Sequence, residues 1–175
     1  MTILLENLIW ANKKIEGDVI VEEQKMKDPV SMFVLFAQMF SITAKHLEEE
    51  FGQKGLDVLA DCVKEFGVMR GQDIACRAAV RGQKNTVENY LDNYDMERSE
   101  LFGYTNEYKP DCVCQEFTKC IFAETWMKAG EEKYGRIYCE NIDPAIAYGY
   151  NKNLACQHEK IMYDDKKCTF CFKMK

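Results

Sequence analysis

Apolar side chains recur at helical spacing from Val30 onward: Val30, Phe33, Val34, Ala37, Phe40, Ala44 and Leu47. Met32, Leu35, Phe36 and Met39 make the other side apolar too, which predicts a helix buried on most of its faces. Asp28-Pro29 is a start signal, an N-cap carboxylate followed by a residue whose φ suits the first turn. The pattern turns amphipathic at His46–Glu50 and predicts an end near Gly52. A second long helix is expected from about Lys54 to Arg81, with Leu56, Leu59, Val63 and Phe66 on its apolar face. Gly67, Gly71, Ala75, Ala78 and Gly82 then form a stripe of small residues. Glycine costs about 1 kcal/mol against alanine inside a helix, so the stripe points to close approach of another backbone, with ligand contact the less favoured reading. Asn85 or Thr86 caps a third helix through Val87, Tyr90 and Leu91.

The period changes after Pro110. Cys112, Cys114, Glu116, Thr118 and Cys120 alternate with Val113 and Phe117, the repeat of a strand. Residues 122–133 read as a helix with Phe122, Trp126 and Ala129 near one face, closed by Gly135. Asp143-Pro144 repeats the earlier start signal and predicts a short helix over 144–150. Two strands close the chain. Leu154, Cys156, His158, Lys160 and Met162 share one side of the first; Cys168, Phe170, Phe172 and Met174 form the apolar face of the second. With a polar turn at Asp164-Asp165-Lys166 they make a hairpin lying on a core.

Helices first and strands later define an α+β class: a helical half with two long helices, then a small antiparallel sheet with crossing helices. The 175 residues suit a single domain, with 1–27 an N-terminal arm, 28–95 the helical half and 110–175 the α+β half. Within the arm, Ile3, Leu4, Leu8 and Ile9 suit a short helical stretch, and residues 17–23 a strand or irregular segment.

Composition narrows the function. Apolar residues make up 47% of the chain, which excludes a mainly disordered protein. A net charge of -6 with no basic stripe argues against nucleic acid as a partner. The longest apolar run, Val30 to Phe40, is too short to span a membrane, and the N-terminus shows no signal-peptide pattern. A cytoplasmic location follows as the expectation, with the nine cysteines as reduced thiols. The apolar first helix could serve a monomeric core or the interface of a homodimer.

No G-x-S-x-G elbow, Walker loop, G-x-G-x-x-G or H-E-x-x-H is present, and no cofactor is expected. His46 and His158 are the only histidines, too few for a multi-histidine metal site. Cys168 and Cys171 have a zinc-knuckle gap but point to opposite faces of a strand, and Cys112-x-Cys114 is not a usual zinc spacing. Small buried hydrophobes are the favoured reading of these cysteines. His158 is either a structural histidine or an acid/base group whose pKa lies near neutrality. Arg70 and Arg77 lie near the small-residue stripe and could clamp a carboxylate, although solvated or paired arginines are the default. The densest constellation holds Cys120, Glu124, Trp126, Tyr138, Cys139, Asp143 and Tyr150. Cys139 precedes the helix start expected at Asp143, where a helix N-terminus would lower a thiol pKa. Asp143 as a plain N-cap and Trp126 as core packing are the competing readings.

A set of motifs carries a resemblance. Cys120-Ile-Phe-Ala-Glu-x-Trp126 and Gly130 are followed by Ile137-Tyr138-Cys139-x-x-x-Asp143-Pro-Ala-x-Ala147-x-Gly149-Tyr150-Asn151, then by Cys168-x-Phe170-x-Phe172. Upstream stand Phe66-Gly67-x-x-Arg70-Gly71-x-x-Ile74-Ala75 and Gly82. Together these resemble the L-2-amino-thiazoline-4-carboxylic acid hydrolase family over about residues 60–174. The family's usual glycine in the final hairpin turn is replaced by Tyr163-Asp164-Asp165.

The resemblance implies hydrolysis of a carbon–nitrogen or carbon–sulfur bond in a small cyclic amidine, giving a carbamoyl-cysteine. In that chemistry Asp143 or Glu124 holds the protonated amidine, and Cys139, or next Cys120, attacks the ring carbon. His158 or Tyr138 protonates the leaving atom. Arg70 grips the substrate carboxylate, and Trp126 and Tyr150 wall the ring. The competing class is a non-enzymatic module that binds a small ligand, a metal or a redox signal through its cysteines.

Overall fold

The first helix starts only three residues after Pro29. In the computed structural model, which describes residues 29–97 and 99–175, α1 spans Met32–Phe51 and α2 Gln53–Val80. The helical stretch and the strand or arm expected within 1–27 lie outside the described residues. Met32–Lys175 form one compact unit. After α2 come the one-turn α3 (Val87–Tyr90), a 3₁₀ turn (Leu91–Asn93), β1 (Phe102–Lys109) and β2 (Cys112–Cys120). Then follow α4 (Ile121–Ala129), α5 (Glu132–Tyr150), β3 (Leu154–Lys160), the one-turn α6 (Met162–Asp165) and β4 (Cys168–Met174). The four strands make one antiparallel sheet in the order β1-β2-β4-β3, so the fold is α+β as the sequence predicts.

Among the described residues, α1 is buried along one side, a departure from the helix buried on most faces that its composition predicts. Ala37, Ser41 and Ala44 are buried, whereas Met32, Leu35, Phe36, Met39 and Ile42 are exposed. The small side chains are the ones that let neighbouring elements approach. Trp126 of α4 lies against this stripe, and its Nε1 donates to the Ala37 carbonyl at 2.9 Å. Trp126→Phe keeps most of the packing but orphans that carbonyl contact. It is expected to lower the unfolding free energy by about 1–2 kcal/mol in a urea titration.

The small-residue stripe of α2 is a helix-packing surface. A Cβ at Gly67 would stand 2.6 Å from the Ala145 Cβ, and one at Gly71 would stand 2.2 Å from the Ile146 carbonyl oxygen. Gly149 answers from α5, where a Cβ would stand 2.2 Å from the Val68 carbonyl oxygen. The two helices therefore meet backbone to backbone. Above them lie the core residues Ile74, Ala78, Ile142, Ile146 and Tyr150, joined from the sheet by Val113, Leu154, Phe170 and Phe172.

Two boundaries in the second half are corrected. Gly130, in the left-handed region at φ 69, ends α4; Gly135 does not. Gly135 lies inside α5, where a Cβ would stand 2.5 Å from the Trp126 ring. Asp143-Pro144 opens no helix either, because α5 runs unbroken through Pro144 to Tyr150. An interior proline costs about 3 kcal/mol or more, and the dense contact of α5 with α2 and the sheet holds the helix through it.

The strands largely follow the predicted faces, with two corrections: Cys120, expected opposite Phe117, ends β2 on the same side as Phe117, and Met162, expected in the first closing strand, lies in α6 beyond the end of β3 at Lys160. Phe170 and Phe172 of β4 are buried, and the register pairs them with Gln115 and Val113 of β2 and with His158 and Cys156 of β3. The face of the sheet toward the helices thus carries Val113, Gln115, Phe117, Cys168, Phe170, Phe172, Cys156 and His158. Where the resemblance expects a glycine turn, α6 makes one helical turn and Lys166 takes the left-handed conformation at φ 58. The opposite face holds a Cys114–Cys171 disulfide between residues paired directly across β2 and β4. That overturns the expectation that all nine cysteines are reduced: strand register brings these two together from 57 residues apart.

Candidate active site

Between the inner face of the sheet and helices α2, α4 and α5 lies a cavity of about 410 Å³. Its walls are aromatic. The sheet contributes Phe102, Tyr104, Phe117 and Phe170, and the helices and the 3₁₀ segment add Phe122, Tyr138 and Tyr94. Most of these rings touch one another edge-on or stacked, which fixes the shape of the space.

Cys120, Cys139, Asp143, His158, Tyr138 and Arg70 all line the cavity. His158 stacks on Phe170 with ring centroids 5.1 Å apart, and its Nε2 lies 3.5 Å from an Asp143 carboxylate oxygen. The pair is in ion-pair range, yet Nε2 makes no well-directed hydrogen bond. Both side chains are about four-fifths buried, at 17% and 21% exposure. An imidazole held beside a carboxylate and facing a cavity is an acid/base arrangement.

The remaining expected site residues lie elsewhere. Trp126 is fully buried in the core, and Tyr150 is buried with its hydroxyl donating to the Thr86 carbonyl at 3.0 Å. Neither lines the cavity, because each is spent on packing between helices. Glu124 sits half-buried on α4 and does not line it.

The two expected thiols also sit differently from the sequence reading. Cys139 was expected just before a helix N-terminus, but it lies in the middle of α5, where no free N–H groups are available. Its Sγ lies 3.7 Å from the Tyr163 hydroxyl. Burial pushes its thiol pKa well up, and neighbouring Cys120 adds to the shift. Cys120 instead occupies the N-cap of α4. Burial raises its thiol to about 11, opposed by the N–H groups of Ala123 and Phe122. A third thiol, Cys168, also lines the cavity and accepts the Met162 N–H at 3.2 Å.

These raised values have a consequence for stability. A thiol titrating near 9.0 in the unfolded chain but about 11 at Cys120 favours the folded state fully below pH 9. That contribution is lost as pH climbs from about 9 to about 11, because the unfolded chain then releases a proton that the fold retains. Cys139 and Tyr138 shift in the same direction, through burial first. Chemical denaturation should show stability flat from pH 7 to 9 and falling above it. A midpoint constant to pH 11 would contradict the burial of these groups.

Arg70 is ion-paired with Asp95. Its Nε and Nη2 donate to the two Asp95 oxygens at 2.8 and 2.7 Å, and its guanidinium lies 5.6 Å from the ring centres of both Phe66 and Tyr94. Burial pulls its pKa down, but the Asp95 hydrogen bonds and nearby charges outweigh this and the net shift is upward.

Sequence reasoning missed Phe102 and Tyr104, since β1 was not read as a strand; the alternation of Phe102, Tyr104 and Tyr108 ahead of Pro110 is the signal that marks it. It also missed Asp95, which only the folded chain places opposite Arg70. Among the described residues, no group of three or more His, Cys, Asp or Glu side chains is arranged to hold a metal ion. No helix among them is long and apolar enough to cross a membrane.

The aromatic cavity thus holds a thiol at the N-cap position of α4 and a carboxylate–imidazole pair. The family model for L-2-amino-thiazoline-4-carboxylic acid hydrolase matches residues 32–172, and the chain belongs to that family. No curated protein and no solved structure matches it.

Proposed function

We propose that this protein hydrolyses a small cyclic amidine of the 2-aminothiazoline kind, the 4-carboxylate of which would give a carbamoyl-cysteine. The observation that carries the reading is the meeting of Cys120, Asp143 and His158 in one aromatic cavity. Family membership supplies the reaction class.

The ring carbon of a protonated aminothiazoline bears two nitrogens and a sulfur and is electrophilic. Asp143 accepts from the amidinium, and the aromatic walls hold the flat ring. Cys120 loses its proton to His158, and the thiolate adds to the ring carbon. A bound cation beside Cys120 favours that ionisation, offsetting the burial that holds the thiol neutral in the empty protein. One ring bond at that carbon then breaks, and the proton on His158 goes to the departing nitrogen or sulfur. Water, activated by the neutral imidazole, adds to the same carbon and expels the Cys120 thiolate. The net change is consumption of one water, and the thiol is regenerated. Cys139 is the second-ranked nucleophile. The mechanism requires Cys120 as a free thiol, and the Cys114–Cys171 disulfide lies on the far face of the sheet.

The test is turnover of a panel of thiazolines, cyclic amidines and carbamoyl-cysteines followed by mass spectrometry. An aminothiazoline gaining the mass of one water, faster than in buffer, supports the reading. No mass change across the panel removes it.

A further inference from the structure

Arg70 is the only arginine or lysine among the described residues that line the cavity. A guanidinium carries five N–H groups, one on Nε and two on each terminal nitrogen. Asp95 takes the Nε–H and one hydrogen of Nη2, which together form the side edge of the group. The end edge, Nη1 with the second hydrogen of Nη2, has no acceptor among the described residues. Nη1 is not sealed within the protein either, so solvent reaches it. Arg70 lines the cavity and Asp95 does not, so the held edge is turned from the space and the free edge is the one a ligand there can meet. The Phe66 and Tyr94 rings, each centred 5.6 Å from the guanidinium, restrict its movement. Asp92 and Glu97 also line the space but are exposed, so water and salt screen their repulsion of an anion.

We propose that the free end edge of Arg70 is the residue-level determinant of specificity in this site: it grips the 4-carboxylate of the aminothiazoline with two parallel hydrogen bonds, while Asp95 holds the opposite side of the same guanidinium. One planar, delocalised cation thereby serves two carboxylates on different edges, which a lysine ammonium cannot do with the same geometry. The inference rests on the cavity being the substrate site proposed above, and it adds the group that reads the carboxylate and the way in which that group is held.

The experiment measures binding of 2-amino-2-thiazoline-4-carboxylate and of carboxylate-free 2-amino-2-thiazoline by titration calorimetry at neutral pH. The full-length Cys120→Ser protein is used, so that the ligand is spared from turnover, and turnover by the unsubstituted protein is followed separately by mass spectrometry. With Arg70 in place the carboxylate should bind at least about tenfold tighter than its carboxylate-free counterpart, the scale of a pair of charge-assisted hydrogen bonds. Arg70→Lys keeps the charge and removes the planar edge. The double substitution Arg70→Gln with Asp95→Asn removes the cation without leaving Asp95 unpaired, and thermal melting shows that each variant is folded. Both should lose most of the preference by weakening the carboxylate, with the carboxylate-free compound changed by less than about threefold. Equal binding of the two compounds with Arg70 in place overturns the inference, as does a preference that survives in both variants. A preference kept in Arg70→Lys and lost only in the double variant assigns the effect to charge alone and overturns the edge-on grip. A preference that behaves as expected, with no turnover of either compound, keeps the inference and removes the hydrolase reading. Turnover without any preference does the reverse, and binding and turnover of neither compound overturn both.

Discussion

Replacing Cys120 by serine should lower aminothiazoline turnover by on the order of a thousandfold or more, the scale seen when a covalent nucleophile is removed. Cys120 is the cavity thiol at a helix N-cap, so the dipole and free N–H groups of α4 act on the charge that forms there. Serine is a favoured N-cap residue of nearly the same volume, so the fold should survive. Cys139→Ser is the informative partner. Cys139 lies mid-helix with its thiol pKa well raised and should tolerate the change with a loss of less than about tenfold. The measurement is kcat for both variants, with circular dichroism as the check on folding. If Cys139→Ser is the silent enzyme and Cys120→Ser the active one, the helix-cap argument fails and the nucleophile is on α5.

The second large effect concerns stability. Gly71→Val should destabilise the fold by about 3 kcal/mol or more, enough to leave much of the chain unfolded. The side chain has nowhere to go: the first added carbon would stand 2.2 Å from the Ile146 carbonyl oxygen and 2.6 Å from the Tyr150 nitrogen, both backbone atoms. Backbone cannot swing aside as a flexible side chain can, so α2 and α5 would have to separate. By contrast, a Cβ at Gly82 meets nothing within 4 Å, although its φ of 69 is left-handed. Gly82→Ala therefore carries only the conformational penalty, about 1 kcal/mol. Urea titrations of the two variants separate the two causes. Equal losses would mean that the helix contact is looser than described.

The elements that local pattern specifies were readable from sequence. Residues 112–120 alternate cleanly and form β2 over those residues, because period two and a proline-bounded start leave no competing reading. The small-residue stripe of α2 announced a close helix contact for the same reason: glycine inside a helix needs a cause. The failures share one origin, which is that a local signal met a stronger tertiary demand. Asp143-Pro144 has the chemistry of a helix start, yet packing carries α5 straight through it, and the misplaced boundary moved the expected helix N-terminus onto Cys139. β1 is an edge strand, largely exposed beyond Phe102, so its apolar alternation is faint. The Cys114–Cys171 link depends on β2 and β4 being neighbours, and no spacing within the chain reveals which strands pair. Of the candidate site, the residues singled out for their chemistry (Cys120, Cys139, Asp143, His158) converge on one cavity. Trp126 and Tyr150, singled out for their size, went to the core.

Helix α5 seats its Ala145 and Ile146 against the glycines of α2 and turns Tyr138, Cys139, Ile142 and Asp143 toward the cavity. Architecture and chemistry therefore share a single rod. A substitution that nudges α5 along its axis carries Asp143 away from His158 by the same displacement, so tolerance to mutation along this helix is set by the more demanding of its two duties. Selection for a new substrate would have its freest hand on β1 beyond Phe102, which shapes the other side of the space from the edge of the sheet.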